Sequence, residues 1–285
     1  MTGEFERIWL VYNQASGSND EESLAALEEK FDSLGCVMAG KTCFPNETPP
    51  DIATLDRERV QILAIFGGDG TISSITTDRY GWQGAILPLP GGTMNMLSRR
   101  MHGDAEAPEI VARLRNGISR KVRPSIIRSR HGDGLTGVLA GPGTVWNEVR
   151  EAMRDIDLVE LVTSTTEAIA WSANGPKVAC LNSDCGRDEG YAAITISPED
   201  DGLQANGYYA DTIGDFAKQG VALLQHDFRN GPHDDLGRHM TIRLACLKGE
   251  PMGLLIDGEP FDGESEEEFA LVPSEIDIVA TADAR

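Results

Sequence analysis

The sequence predicts a parallel α/β domain followed by a strand-rich domain. Three observations carry this. Short, almost wholly apolar runs near the N-terminus, Val60 to Phe66 and Ala85 to Leu89, have the composition of strands covered on both faces. Segments of helical period alternate with such runs, the order that builds a parallel sheet. After about Lys121 the texture changes to strand-like segments separated by turn residues.

Ile8 to Tyr12 reads as a buried strand that feeds the small-residue loop Asn13-Gln14-Ala15-Ser16-Gly17-Ser18. Asp20 to Leu34 reads as a helix. Leu24, Leu27, Phe31 and Leu34 recur at helical spacing, acids cluster in the first turn, and Gly35 supplies a stop. Cys36 to Phe44 is a second strand, Val60 to Phe66 a third and Ala85 to Leu89 a fourth. Met94 to Met101 and Pro108 to Arg115 are helical, the latter with Pro108 in its first turn and Gly117 at its end. Beyond the change of texture, Ser125 to Ser129, Thr136 to Ala140, Val178 to Asn182, Tyr191 to Ser197, His239 to Cys246 and Met252 to Ile256 are strands. Helices at Thr144 to Asp157 and Asp211 to Leu224 interrupt them. The domains are expected over 1–122 and 123–285, joined near Arg120 to Pro124, with the final strand able to return to the first domain.

At 285 residues and 40% hydrophobic content the chain can bury a sizeable core. A formal charge of -21 repels polyanions, so nucleic acid is not an expected partner. Solubility in a salt-adapted protein is the simplest account of that acidity. The five cysteines are odd in number and show no C-x-x-C pair, which argues against a disulfide scaffold or structural zinc and for a reducing compartment. No run of eighteen apolar residues is present and the first residues carry Glu4 and Glu6, so a soluble, cytoplasmic protein is expected, one that meets a membrane only at its surface.

Gly67-Gly68-Asp69-Gly70-Thr71 directly follows the apolar strand. Glycines at a strand end let backbone N–H groups approach an anion, and a following helix adds its positive end. A carboxylate in such a loop makes sense if Asp69 reaches a metal ion on a phosphate; alone, Asp-Gly is a turn. About twenty residues on, Pro90-Gly91-Gly92-Thr93-Met94-Asn95 again follows an apolar run. Two glycine loops ending neighbouring strands would face one crevice, where open α/β sheets bind ligands. Thr93 and Asn95 suit phosphate or ribose, or helix capping. Asp257-Gly258-Glu259 alone reads as a hairpin turn.

Taken in order, Asn13…Ser16-Gly17, Gly67 to Thr71, Pro90 to Asn95 and Asp257 to Glu259 resemble the diacylglycerol kinase catalytic domain family, relatives of sphingosine and NAD kinases. The resemblance implies a Rossmann-like first domain and a β-sandwich second one. It implies that Asn13, Ser16, Gly17, Thr42, Gly67, Gly68, Asp69, Gly70, Thr71, Gly92, Thr93 and Asn95 surround ATP. It implies that the D-G-E segment returns to the cleft, where Glu259, with Asp257 as neighbour or substitute, accepts the proton of a lipid hydroxyl. Asp69, Asp257 and Glu259 are thus the catalytic candidates, since a placed carboxylate contributes roughly 10²- to 10⁴-fold, and Mg²⁺ neutralises charge in the transfer. Asp201, with the carbonyls of Pro198 and Leu203, falls where bacterial members hold a structural Mg²⁺; an acidic turn is the alternative. The expected partners are a nucleoside triphosphate and a lipid at a membrane surface, such as diacylglycerol or a sphingoid or ceramide-like lipid, and a homodimer is compatible with the sequence. A kinase of a soluble compound such as NAD, or a non-catalytic nucleotide- or lipid-binding relative, are the alternatives.

The sequence departs from the family pattern twice. Met96 stands where many members carry an acid after the Asn of the second loop, and Ile72-Ser73-Ser74 lacks the usual N-E. Seven Lys or Arg residues between Arg113 and Arg130 suit anionic headgroups, at about 1 kcal/mol each near a membrane, or a solvated face. The five histidines read as structural or exposed, Trp146, Val149 and Met153 as core, and Glu264 to Glu268 as a charged loop.

Overall fold

The computed structural model describes residues 6–14, 21–92, 94–114, 119–142, 177–183, 185–208 and 233–282. The elements run β1 (Arg7–Asn13), α1 (Glu21–Ser33), β2 (Val37–Phe44), α2 (Ile52–Arg57), β3 (Ile62–Gly67), α3 (Asp69–Thr77), β4 (Ala85–Pro90), α4 (Met96–His102), α5 (Ala107–Arg113) and β5 (Arg120–Val122). Strands then dominate: β6 (Ser125–Ser129), β7 (Gly132–Gly134), β8 (Val138–Pro142), β9 (Val178–Cys180), β10 (Ala193–Pro198), β11 (Leu203–Tyr208) and β12 (His233–His239). Next come β13 (Thr241–Cys246), β14 (Met252–Ile256), β15 (Glu259–Asp262), β16 (Glu266–Pro273) and β17 (Asp277–Ala280). The expected helices at Thr144 to Asp157 and Asp211 to Leu224 lie outside the described residues, as do Trp146, Val149, Met153 and His226.

The chain divides into two compact units, one of Met1–Pro124 with Pro273–Arg285, the other Ser125–Val272. In the first, a sheet of order β2-β1-β3-β4-β17-β5 is parallel from β2 to β17, and β5 closes it antiparallel. All six residues of β3 are buried because helices cover both faces. Ile8, Leu10, Ile62, Ala64 and Leu87 pack with Leu27 and Phe31 of α1 and Ile110 and Val111 of α5. The alternate residues Leu63, Ile65 and Ile86 are also buried and point to the other face. Helix α1 carries Glu21 and Glu22 at its positive end and stops where Gly35 turns left-handed at φ 67°. The stretch Arg120 to Pro124, expected as a linker, is in large part β5, whose Arg120 to Val122 pair with Ala280 to Ile278. Arg123 bonds Asp277 at 2.8 Å, and the Ser274 amide donates to the Pro124 carbonyl at 2.9 Å.

The second unit holds two sheets, β12-β11-β10-β8-β14-β15 and β7-β6-β16-β13-β9. Their alternating inward residues, among them Ile194, Leu203 and Leu254 of one and Ile127, Leu244 and Phe269 of the other, form one core cluster. Two expectations change here. Cys180 and Cys185 form a disulfide, so these two thiols do not stay free. With five residues of separation they escape the C-x-x-C spacing that a sequence reading looks for. The acidic run is not a loop: Glu266 to Glu268 begin β16, where alternation turns Glu267 inward while Glu266 and Glu268 stay exposed. Glu267 Oε1 pairs with His131 Nε2 at 2.9 Å, and Arg130 Nε lies 3.3 Å from Oε2.

Candidate active site

Strands β1, β2, β3 and β4 end together at Asn13, Phe44, Gly67 and Pro90, since Asn13 is in register with Phe44 and Gly67 with Pro90. The order β2-β1-β3-β4 reverses direction between β1 and β3. In open α/β sheets such a switch point, at the carboxyl ends of the strands, opens the crevice that binds ligands. The first glycine loop is short: Gly68 is the N-cap of α3, and Asp69 is already the first helical residue. Asn13 Nδ2 donates to Thr71 Oγ1 at 2.8 Å, tying the end of β1 to the first turn of α3 across the switch point.

The second loop is held against the first. The Gly91 amide donates to the Gly67 carbonyl at 3.1 Å, continuing the β3–β4 ladder past its end. A Cβ on Gly92 would lie 2.5 Å from Gly68 Cα, so the backbones touch and only glycine fits there. Asn95 takes a left-handed conformation (φ 51°, ψ 40°) and folds back on Gly92, accepting from its amide and donating to its carbonyl, both at 2.8 Å. Asn95 thus shapes the loop and, although it is the N-cap residue, makes no side-chain bond to α4. That bond comes from Asp69, whose Oδ1 accepts from the Leu97 amide at 3.1 Å and satisfies one of the open N–H groups of the helix start. The carboxylate of the first loop therefore anchors the second.

Thr42 is buried and its Oγ1 accepts from Trp9 Nε1 at 2.9 Å. Tyr12, which the sequence did not single out, ends β1 beside Asn13. Its hydroxyl is pushed up to about 12, first by its hydrogen bond with the Cys43 thiol and then by burial. Ser16, Gly17 and Thr93 lie outside the described residues. Met96 is 39% exposed at the start of α4, whereas Ser73 is buried within α3.

In the second unit, Asp257 and Gly258 are the two-residue turn between β14 and β15, with φ of 50° and 85°, the left-handed pair of a type I′ hairpin. The Asp257 side chain is 8% exposed. Its Oδ2 accepts from the Leu135 amide at 2.7 Å, and its Oδ1 from the Thr136 amide at 2.8 Å, the Thr136 hydroxyl at 2.7 Å and the Gly137 amide at 3.1 Å. Glu259 begins β15 with an exposed carboxylate that makes no hydrogen bond or ion pair among the described residues.

Asp201 lies in the β10–β11 turn, where Pro198 pairs with Leu203 and the Glu199 amide donates to the Gly202 carbonyl. Its Oδ1 is held 2.5 Å from Arg238 Nη1, and among the described residues no three His, Cys, Asp or Glu side chains gather as a metal site. Arg238 thus holds one oxygen of the exposed carboxylate expected to ligate Mg²⁺ beside the Pro198 and Leu203 carbonyls. The basic stretch is largely matched by acids: Arg113 pairs with Glu109, Arg123 with Asp277, Arg128 with Asp133 and Arg130 with Glu264 and Glu267.

Glycine corners at a switch point, cross-braced by Asn13 and Asp69, agree with the family model that the sequence matches. Residues 7–125 match the diacylglycerol kinase catalytic domain. The matched diacylglycerol kinase domain ends within one residue of the first unit's leading segment, so both glycine loops lie inside it and the Asp257–Glu259 hairpin beyond it. A search of curated protein sequences gave no match. Among solved structures, a diacylglycerol kinase from Bacillus anthracis strain Sterne is similar over 98% of this chain and 98% of its own, at TM-score 0.63 and 15% identity. Another structure from that strain, described as a candidate diacylglycerol kinase, covers 100% of this chain at TM-score 0.62 and 15% identity. At that identity the likeness carries the fold: a parallel α/β unit and a strand-rich one. No helix among the described residues is long and apolar enough to cross a membrane.

Proposed function

We propose that this chain is an ATP-dependent lipid kinase that transfers the γ-phosphoryl group to a hydroxyl of diacylglycerol or a related sphingoid or ceramide-like lipid. The observation that carries the reading is the braced pair of glycine loops at the switch point. Phosphoryl transfer depends mainly on positioning and charge stabilisation, and a backbone cradle fixed by Asn13–Thr71, Gly68–Gly92 and Asp69–Leu97 serves the first. The triphosphate enters with its Mg²⁺ as substrate, and the N-terminus of α3 favours its charge. The lipid hydroxyl oxygen bonds to the γ-phosphorus, the bond from that phosphorus to the β,γ-bridging oxygen breaks, ADP leaves, and the hydroxyl proton passes to Glu259. The exposed carboxylate of Glu259, without a partner among the described residues, supports that role better than the enclosed one of Asp257.

The test is incubation of the purified chain with γ-labelled ATP, Mg²⁺ and a panel of long-chain alcohols in mixed micelles. Labelled lipid is expected, with turnover in Glu259→Gln reduced by about 10²-fold or more. No transfer to any lipid would overturn the reading. Transfer to NAD without detergent would move the acceptor to the soluble class, and tight ATP binding without turnover, the reading that Met96 in place of an acid favours, would make the chain a nucleotide sensor.

A further inference from the structure

Asp257 and Glu259 flank one glycine, yet their surroundings differ sharply. We infer that Thr136 is a positioning residue for Glu259, acting through Asp257, which serves as a latch on the 135–137 loop; this rests on the kinase reading above.

Three consecutive amides, Leu135, Thr136 and Gly137, and the Thr136 hydroxyl converge on the Asp257 carboxylate at 2.7 to 3.1 Å. A carboxylate offers about four acceptor positions, and Oδ1 alone receives three donors. A proton arriving on Oδ1 would face those donors and displace at least one from a buried oxygen. Oδ1 is therefore fully engaged, and the carboxylate as a whole is well placed to grip the 135–137 loop. The grip is two-sided, because the Asp257 amide donates to the Gly137 carbonyl at 3.0 Å. The loop itself has little room to yield: Leu135 and Thr136 are buried, and a Cβ on Gly134 would meet Ile256 Cγ2 at 3.1 Å.

The hairpin relays this fixation. Ile256 is in register with Glu259 across the turn, and Ile256 also pairs with Val138, the residue that follows the gripped loop. With both ends of the turn fixed, the backbone of Glu259 is set and only its side-chain torsions stay open. Of these four donors among the described residues, the Thr136 hydroxyl is the one from a side chain and can be removed without touching the backbone. Sequence reasoning could not find it, since its partner lies 121 residues away.

A double-mutant cycle in the lipid phosphorylation assay tests this, with kcat, KM for ATP and melting temperature recorded for wild type, Thr136→Val, Thr136→Ser, Glu259→Gln and Thr136→Val/Glu259→Gln. Thr136→Val is expected to lower kcat about tenfold or more with KM for ATP unchanged, since displacing a reacting group by a full ångström can cost about 10²-fold. Thr136→Ser restores turnover. On the Glu259→Gln background, Thr136→Val should change nothing further, because the residue to be positioned is gone. An equal loss on both backgrounds, or no loss on the wild-type one, overturns the inference while leaving the kinase reading intact. A wild type that phosphorylates no lipid overturns both. Should Thr136→Val not fold, Thr136→Ala in the same cycle decides, and failure of both to fold, which would make the hydroxyl a fold requirement, overturns the positioning role.

Discussion

His102 should make the first unit acid-sensitive in a way that one substitution removes. The imidazole sits at the end of α4, 1% exposed, with Nδ1 2.9 Å from Thr281 Oγ1 and no hydrogen bond at Nε2 among the described residues. Burial, with the Arg113 charge adding to it and the Pro88 carbonyl offsetting part, lowers its pKa from 6.5 to about 4. A histidine that is harder to protonate folded than unfolded contributes stability above the unfolded value, and that stability is lost as pH falls from about 7 toward 4. With those two values the loss relative to pH 8 is about 2 kcal/mol at pH 5 and about 3 kcal/mol below pH 4. His102→Asn keeps an acceptor near Thr281 and cannot charge. Urea unfolding of both proteins at pH 8 and pH 5 should show the wild type losing about 2 kcal/mol more than the variant, the carboxylates cancelling in the comparison. A proton NMR titration of the His102 ring should place its midpoint near 4. Equal pH dependence of the two proteins, or a midpoint near the ordinary histidine value, would refute the reasoning.

Gly92→Ala sets a methyl 2.5 Å from Gly68 Cα, so the loops must part; calorimetry should show ATP affinity lowered at least tenfold and unfolding should show a loss of about 1–3 kcal/mol. Asp69→Asn, which turns one carboxylate oxygen into a donor toward or beside the Leu97 amide, should cost about 1 kcal/mol of stability and lower kcat more than it raises KM for ATP. Phe31→Ala empties the α1 face of the first core and should destabilise by about 3–5 kcal/mol in urea unfolding. Replacing Cys180 and Cys185 together by Ser reopens a short loop and should cost about 2 kcal/mol, with dithiothreitol giving a similar loss in the wild type.

Local chemistry was legible in the sequence. Val60 to Phe66 announces a doubly covered strand because it is apolar nearly throughout, and β3, which begins at Ile62, is buried along its length. The left-handed stop at Gly35 and the turn at Asp257-Gly258 follow from residue type alone. What the sequence could not convey is which distant group each side chain meets. Asp69 also meets the Leu97 amide at the start of α4, 3.1 Å away, and Asp257 a loop 121 residues earlier, partners that no local pattern announces. Glu267 hides within an acidic run because alternation in β16, rather than composition, turns it inward. Asp201 meets Arg238, 37 residues on, a pairing that the acidic turn does not announce.

Strand β17 lies between β4 and β5 in the sheet of the first unit, although 148 residues of the second unit separate Pro124 from Pro273 in the chain. A ribosome therefore delivers the last piece of the first unit's sheet only after the whole strand-rich unit has emerged. Until then β4 presents an open edge and β5 has no neighbour to pair with. Shortening the chain by its last dozen residues would thus injure the N-terminal unit, where the glycine loops are, and leave the strand-rich unit's own hydrogen-bond ladders whole.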